Sequence, residues 1–365
     1  MGFYLFIILI LVIFSIVKPK GLKGRNLLIL AILFFYVIAT IRAEVIGNDT
    51  ASYSYYFDQF RKGIWNSDYE YEIGYYWISR LFGIFTKNFN VFLVFVNAAI
   101  YYAYYRLIRD YSSNYGLSLL LFLCLEHWGH TVNILRQEIA VCLFIYAFLL
   151  TDRGKRIQGL FISVLAPFFQ RTSLTFFLMY FIPNKIEKRF YAVFGSLGVI
   201  MLLVIDKIVI EIAGHVSRFQ KYFMENTNES KYVLGRVEPA IVARCVFLLI
   251  VWVLAWYIYD KNKEKTVCTE RITAIELQIN MVFMAMLIVL MAARFNILER
   301  CALFFDSFVI VLIPNMISMI KKDEFRHVTQ AAFTVIAVGY FVAVNVFRPE
   351  WNHIYPYRMF FQSPN

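Results

Sequence analysis

The chain has 365 residues, a length that in a soluble protein would make two or three domains. Its residues are 60% hydrophobic, 19% aromatic and only 17% charged, against roughly 25% charged in soluble domains, and no water-soluble fold of this size has an interior able to hide so much apolar surface. The formal charge of +11 does not point to nucleic acid, because the basic residues sit mostly in short loops between apolar runs, where they orient membrane helices.

Taken in chain order, Gly2 to Val17 is apolar, lacks a basic leader and a small-residue cleavage site, and is followed at once by Lys18, Lys20, Lys23 and Arg25. That pattern predicts a retained first helix rather than a removed signal peptide. Further apolar runs near 27–41, 89–105, 116–133, 136–151, 157–170, 172–183, 190–210, 241–259, 272–293, 301–320 and 327–347 predict an all-α polytopic integral membrane protein with about 11–13 transmembrane helices. The runs 157–170 and 172–183 read either as two helices or as one bent at Pro167. The alternating ten-residue segments of a membrane β-barrel do not occur. Segment 42–88 is too polar to span throughout, and its second half, Ile73 to Phe85, reads as an amphipathic or re-entrant helix. With no internal repeat and no linker, the expectation is one membrane domain over 1–365, whose largest non-membrane pieces are 42–88 and 211–240.

Loops 18–26, 106–110, 152–156, 184–189, 260–271 and 321–327 are short and mostly basic. With the N-terminus outside, all six fall on the cytoplasmic side, as the positive-inside bias prefers. The segment 42–72, the turns at Asn133–Gln137, Gln170–Arg171 and Arg294–Arg300, the loop 211–240 and the tail from Phe347 then share the outer face.

Arg42, Arg136, Arg171, Arg294, Arg300 and Arg358 each stand at or just beyond the outer end of an apolar run. A guanidinium offers a rigid fork of donors to phosphate oxygens and keeps its charge when partly dehydrated; the plainer reading of any one of them is a side chain snorkelling to the interface. Arg136 stands apart because Leu135-Arg136-Gln137-Glu138 interrupts an otherwise apolar pair of helices. A second cluster holds Gly47-Asn48-Asp49-Thr50, Tyr53, Tyr55, Tyr56 and Asp58, then Tyr69-Glu70-Tyr71-Glu72. Carboxylates among tyrosines suit carbohydrate, because acids accept from hydroxyls and rings stack on sugar faces, and a carboxylate there can act as a general base; an interfacial aromatic belt with solvated acids has the same composition. Glu126-His127-Trp128-Gly129-His130 lacks zinc-peptidase spacing and reads as a packed helix end. The five cysteines are scattered and form neither metal spacing nor a disulfide framework. Asn48-Asp49-Thr50 and Asn228-Glu229-Ser230 match the glycosylation sequon, a pattern that chance often supplies.

In order, Ile41-Arg42 with Asn48-Asp49-Thr50 and Tyr53 resembles the opening motif of the EpsG family of Wzy-type polysaccharide polymerases. Glu72-Ile73-Gly74-Tyr75 resembles that family's E-x-G-(F/Y) segment, and Leu135-Arg136-Gln137-Glu138-Ile139-Ala140 its R-Q-x-(I/L)-A signature. Arg294 and Arg300 before a helix ending at Ile313-Pro314, and the tail Trp351 to Tyr357, are similar to its later features. One departure is Phe169-Gln170-Arg171-Thr172-Ser173, which stands where relatives often carry a histidine, so no catalytic base carries over. The resemblance implies a GT-C-like bundle with short periplasmic helices, in a bacterial inner membrane, with the site facing the periplasm. It implies a glycosyltransferase, independent of metal and cofactor, that moves a glycan from undecaprenyl diphosphate onto an incoming lipid-linked repeat unit of O-antigen or exopolysaccharide. A flippase and a chain-length regulator would be its partners. On this reading Asp49, Glu72 and Arg136 are catalytic, while Arg42, Tyr53, Gln137, Arg171, Arg294, Arg300, Tyr357 and Arg358 bind substrate. Asp49 and Glu72 would orient or deprotonate the acceptor, and Tyr53 and Tyr357 would line a sugar groove. A flippase for the same lipid-linked sugars would instead carry charges on both faces. A ligase would differ only in acceptor, and an acyltransferase would call for a buried histidine base.

Overall fold

The computed structural model describes residues 1–19, 21–65, 71–215, 238–263 and 269–361. Tyr69, Glu70, Cys268 and the sequon at Asn228 lie outside the described residues. Regular structure among the described residues is helical, apart from one antiparallel bridge between Arg42 and Met359. The chain divides into two compact units, one of Met1–Leu174 with Ile320–Asn365 and one of Thr175–Met319.

The first unit contains α1 (Gly2–Val17), α2 (Gly21–Thr40), α3 (Thr50–Arg61), α4 (Ile73–Gly83), α5 (Phe89–Tyr111), α6 (Tyr115–Cys124), α7 (His127–Asn133), α8 (Leu135–Asp152) and α9 (Arg156–Leu165). From the second unit the chain returns to it as α15 (Asp323–Phe347). Its centre is α6, buried from Gly116 to Cys124. A helix apolar on every face has no side to turn to water or headgroups, so it is enclosed by others. Gly116 permits the closest approach, since a Cβ there would lie 2.4 Å from Ser15 N in α1. The outer helices turn apolar residues outward: on α1, Phe6, Leu9, Ile13 and Ile16 are exposed while Tyr4, Ile7 and Leu11 are buried.

The second unit contains α10 (Lys188–His215), α11 (Pro239–Asn262), α12 (Thr269–Ala292), α13 (Glu299–Asp306) and α14 (Val309–Ser318). Here α12 is the enclosed helix, with 89% of its most apolar window buried against 11% for α10. Proline at the first position of α11 suits a helix start, where the missing N–H would have no intrahelical acceptor.

Six described helices are long and apolar enough to cross a membrane: α2, α5, α10 (Lys188–Glu211), α11, α12 (Ile275–Ala292) and α15. The pair Asn296–Asp306 and Val309–Ser318, bent by 49°, has the composition of a broken span or of a re-entrant loop. This is a multi-pass membrane protein. Several apolar runs are organised differently from uninterrupted spans. Run 116–133 is broken at Leu125–Glu126, where Glu126 adopts φ 65 and sends α7 off in a new direction. Run 157–170 becomes α9 and a 3-10 turn, Ala166–Phe168, with Pro167 inside it, and run 172–183 lies mostly in a 3-10 stretch, Arg171–Phe181. Composition reports that a run is apolar, and turns of this kind are set by the packing around it.

The helices of the first unit run between two polar ends. At one, Asp110 gathers Arg106, Arg109 and Arg153 at 3.2, 2.6 and 2.9 Å, while Gln330 and Asn114 donate to Ser15 O at 3.2 and 2.9 Å. At the other lie the 42–50 turn, the α7–α8 junction, the 166–171 turn and the tail. Within this unit the basic loops and the motif-bearing segments therefore occupy opposite ends, as the charge pattern predicts.

Candidate functional site

The motif end of the first unit is built on the Ile46–Thr50 turn. Gly47 has φ 82, and a Cβ there would lie 2.3 Å from Val132 O and 3.0 Å from Asn133 Cα. Only glycine lets the turn ride directly on the end of α7. Thr50 Oγ1 is 2.6 Å from Ile46 O and 3.1 Å from Val132 O. Asn48 Nδ2 donates to Glu350 O and Trp351 O at 2.7 and 2.9 Å, and the Asp49 N–H donates to Asn133 Oδ1 at 3.3 Å. Asp49 occupies the N-cap of α3, yet its carboxylate makes no capping bond. A cap position normally consumes the side-chain oxygen; here it remains available on a half-buried residue.

Arg136 opens α8 beside this turn. Its guanidinium pairs with Glu72, the N-cap residue of α4, and lies 4.2 Å over the Tyr71 ring and 6.0 Å from that of Tyr53. The two charged side chains are only 17% and 11% exposed, so the pair is shielded from water and its attraction is correspondingly strong. Tyr71 packs at 4.2 Å against Tyr56 and at 5.9 Å against Tyr53, whose carbonyl accepts from Tyr75 OH at 3.1 Å. Burial raises the hydroxyls of Tyr53 and Tyr71, which stay protonated. Gly74 lets α4 close on the 166–168 turn, since a Cβ would fall 2.5 Å from Phe168 O. The same region presents Thr172, whose hydroxyl donates to Gln137 Oε1 at 3.0 Å, and Arg171, whose side chain is exposed. Asp49, Tyr53, Glu72, Arg136, Gln137 and Arg171 thus belong to one end of one unit.

Arg42 has a different setting. It is 1% exposed, with Nε 3.3 Å from Thr50 Oγ1 and Nη1 donating to Ala39 O. Burial pulls its guanidinium down to about 10, so it stays charged at neutral pH beneath the turn it braces. Tyr357 donates its hydroxyl to Ile38 O at 2.5 Å, and Arg358 contributes its backbone carbonyl to Ala43 N at 2.9 Å while its side chain is exposed. Tyr53 is 2% exposed and the Tyr71 ring lies between Arg136 and Tyr56, so the exposed ring among the described tyrosines of this cluster is that of Tyr55, at 56%. His127 stacks on Phe122 and meets His130 edge-on, as a packed helix end does.

In the second unit Arg294 pairs with Asp206, and Arg300 lies half-buried in the first turn of α13. Sequence reasoning missed Arg244 of α11, which reaches Glu299 Oε1 at 2.6 Å and also pairs with Asp306. The available signal was the seven-residue spacing of those two acids, which puts them on one helix face. Sequence reasoning read Glu126 as part of a packed helix end and Asn352 as part of the tail, and gave no site role to these or to Asn133, all three buried polar residues. Such groups are costly in apolar surroundings unless partnered, which was a reason to single them out.

Chemically, the motif end of the first unit offers a guanidinium for an anionic group, two carboxylates and several aromatic faces. No curated protein and no solved structure matches the chain significantly. A family model, by contrast, matches residues 25–359, which include every candidate residue above, and the chain therefore belongs to the EpsG family of Wzy-type polymerase-like proteins.

Proposed function

We propose that this protein joins lipid-diphosphate-linked oligosaccharide repeat units into a polysaccharide at the outer face of a bacterial inner membrane. Family membership supplies the coarser statement, a polysaccharide polymerase-like, glycosyltransferase-type role. The observation that carries the finer reading is Arg136, laid on Tyr71 and paired with Glu72 next to the uncommitted carboxylate of Asp49.

In the reaction, the bond between the donor's anomeric carbon and the diphosphate oxygen breaks, and a new bond forms from that carbon to an acceptor hydroxyl oxygen. The hydroxyl proton goes to a base, and the polyprenyl diphosphate leaves with its electron pair. A diphosphate is already a good leaving group, so the site's task is to hold negative charge and to place the hydroxyl. Arg136 takes the diphosphate, because its fork matches phosphate oxygens and its aromatic platform holds it still. Asp49 accepts the proton and Glu72 orients Arg136. The rings of Tyr55 and Tyr56 meet the sugar, and Arg171 and Gln137 lie at the same end of the unit.

Arg136→Ala is expected to abolish the polymer ladder on a gel of cell-surface glycan while the protein still inserts. Arg136→Lys should also be severely impaired, because it keeps the charge and loses the fork. A normal ladder from the alanine variant would overturn the assignment. Arg294 and Arg300 of the second unit are tested by the same pair of substitutions.

A further inference from the structure

We infer that Glu126 is a positioning residue, acting through Asn352 and Asn133 on the turn that carries Asp49. The inference rests on the reading that Asp49 serves the acceptor hydroxyl, and it adds Glu126 and Asn133, which lie outside the motifs that suggested that reading, together with Asn352 of the tail.

Glu126 sits at the break between α6 and α7 with φ 65, a conformation uncommon for any residue with a side chain. It is 3% exposed. Its Oε1 accepts from Asn345 Nδ2 at 2.9 Å and its Oε2 from Asn352 Nδ2 at 2.9 Å. Asn352 Oδ1 in turn accepts from Asn133 Nδ2 at 3.1 Å, and Asn133 Oδ1 accepts from the Asp49 N–H at 3.3 Å. Both asparagines are buried. Gly129 leaves the room for this chain, since a Cβ there would lie 2.7 Å from Glu126 Oε2 and 3.0 Å from Asn352 Nδ2.

The relay has a direction. The ionised form of Glu126 can only accept, and Asn352 turns its NH2 toward it and its carbonyl toward Asn133. Asn133 must then present its own carbonyl to Asp49. An amide at position 126 would offer one acceptor and one donor group, but two NH2 groups already face that side chain. Either one contact fails, or Asn352 flips and sets donor against donor at Asn133. Burial makes each mismatch costly. The relay also ties the tail to the turn, because Asn133 Nδ2 donates to Trp351 O at 3.1 Å and the Gly47 N–H donates to His353 O at 3.1 Å.

The test is a charge relocation. Glu126→Gln should misdirect the relay, and Asn352→Asp should place two carboxylates in contact. In the double variant the new amide at position 126 donates to the new carboxylate at position 352 and accepts from Asn345. That carboxylate still accepts from Asn133, so every bond has a partner again. Hydrogen exchange of the purified full chain in detergent, followed by mass spectrometry, reads the 44–51 segment directly. Each single variant is expected to exchange there about tenfold faster, as loss of one buried hydrogen bond implies. The double variant should return to the wild-type rate, and segment 106–111 at the opposite end of the unit should be unchanged throughout. Polymer synthesis should follow the same pattern.

Wild-type exchange in the single variants, a double variant no better than either single, or acceleration spread equally to 106–111 would each overturn the relay. If the single variants fail to insert, the double variant alone decides, since the relay requires it to insert and polymerise. Full activity in Asp49→Asn would remove that residue from the proposed chemistry and leave the exchange result to judge the relay separately.

Discussion

Gly47→Ala is the sharpest test of how the turn beneath Asp49 is held. At φ 82 an L-residue costs about 1–2 kcal/mol relative to glycine. The added Cβ would lie 2.3 Å from Val132 O, where ordinary contact begins at 3.4 Å, and that oxygen is backbone that cannot swing aside. Relief requires lifting the turn off α7, which sacrifices the Asp49 bond to Asn133 and the Gly47 bond to His353. At about 1 kcal/mol for each lost bond, the sum is roughly 3–4 kcal/mol, or more than a hundredfold on the closed turn. Gly154→Ala supplies the control: it has φ 79 but nothing within 4 Å of the new Cβ, so it carries only the conformational cost. The assay is the polymer ladder in cells expressing each variant, with the amount of inserted protein measured alongside. Gly47→Ala should insert and lose the ladder, and Gly154→Ala should keep it. Equal ladders from the two variants would refute the claim that close packing on α7 holds the turn.

Tyr71→Phe should leave binding of inorganic pyrophosphate by the purified protein unchanged, whereas Tyr71→Ala should weaken it by up to about tenfold, the range of a shielded cation–π contact; calorimetry distinguishes them, and equal affinity in both would remove the ring from Arg136's support. Arg244→Ala strands the Asp306 carboxylate, whose side chain is only 10% exposed. Its loss should cost about 3–5 kcal/mol, seen as a lowered detergent melting temperature that Arg244→Ala with Asp306→Asn partly restores.

Hydropathy belongs to each stretch of chain by itself and adds along it, and for that reason the membrane class, the approximate positions of the apolar runs and the segregation of basic loops from motif segments in the first unit were all legible in the sequence. So was the set of charged residues standing at the ends of apolar runs, because a charge beside an apolar run must be explained. The partners of those residues were not legible. Arg136 meets Glu72 from 64 positions earlier, and Glu126 meets Asn352 from 226 positions later. Nothing in local composition records such distances. The same is true of Arg42, which in sequence is indistinguishable from the other outer arginines, yet folds inward under the turn while Arg171 and Arg358 stay exposed. The breaks at Leu125–Glu126 and in the 166–171 turn were hidden for a related reason: an apolar run looks uniform whether its backbone continues or turns, and only the groups that satisfy the freed amides and carbonyls decide between the two.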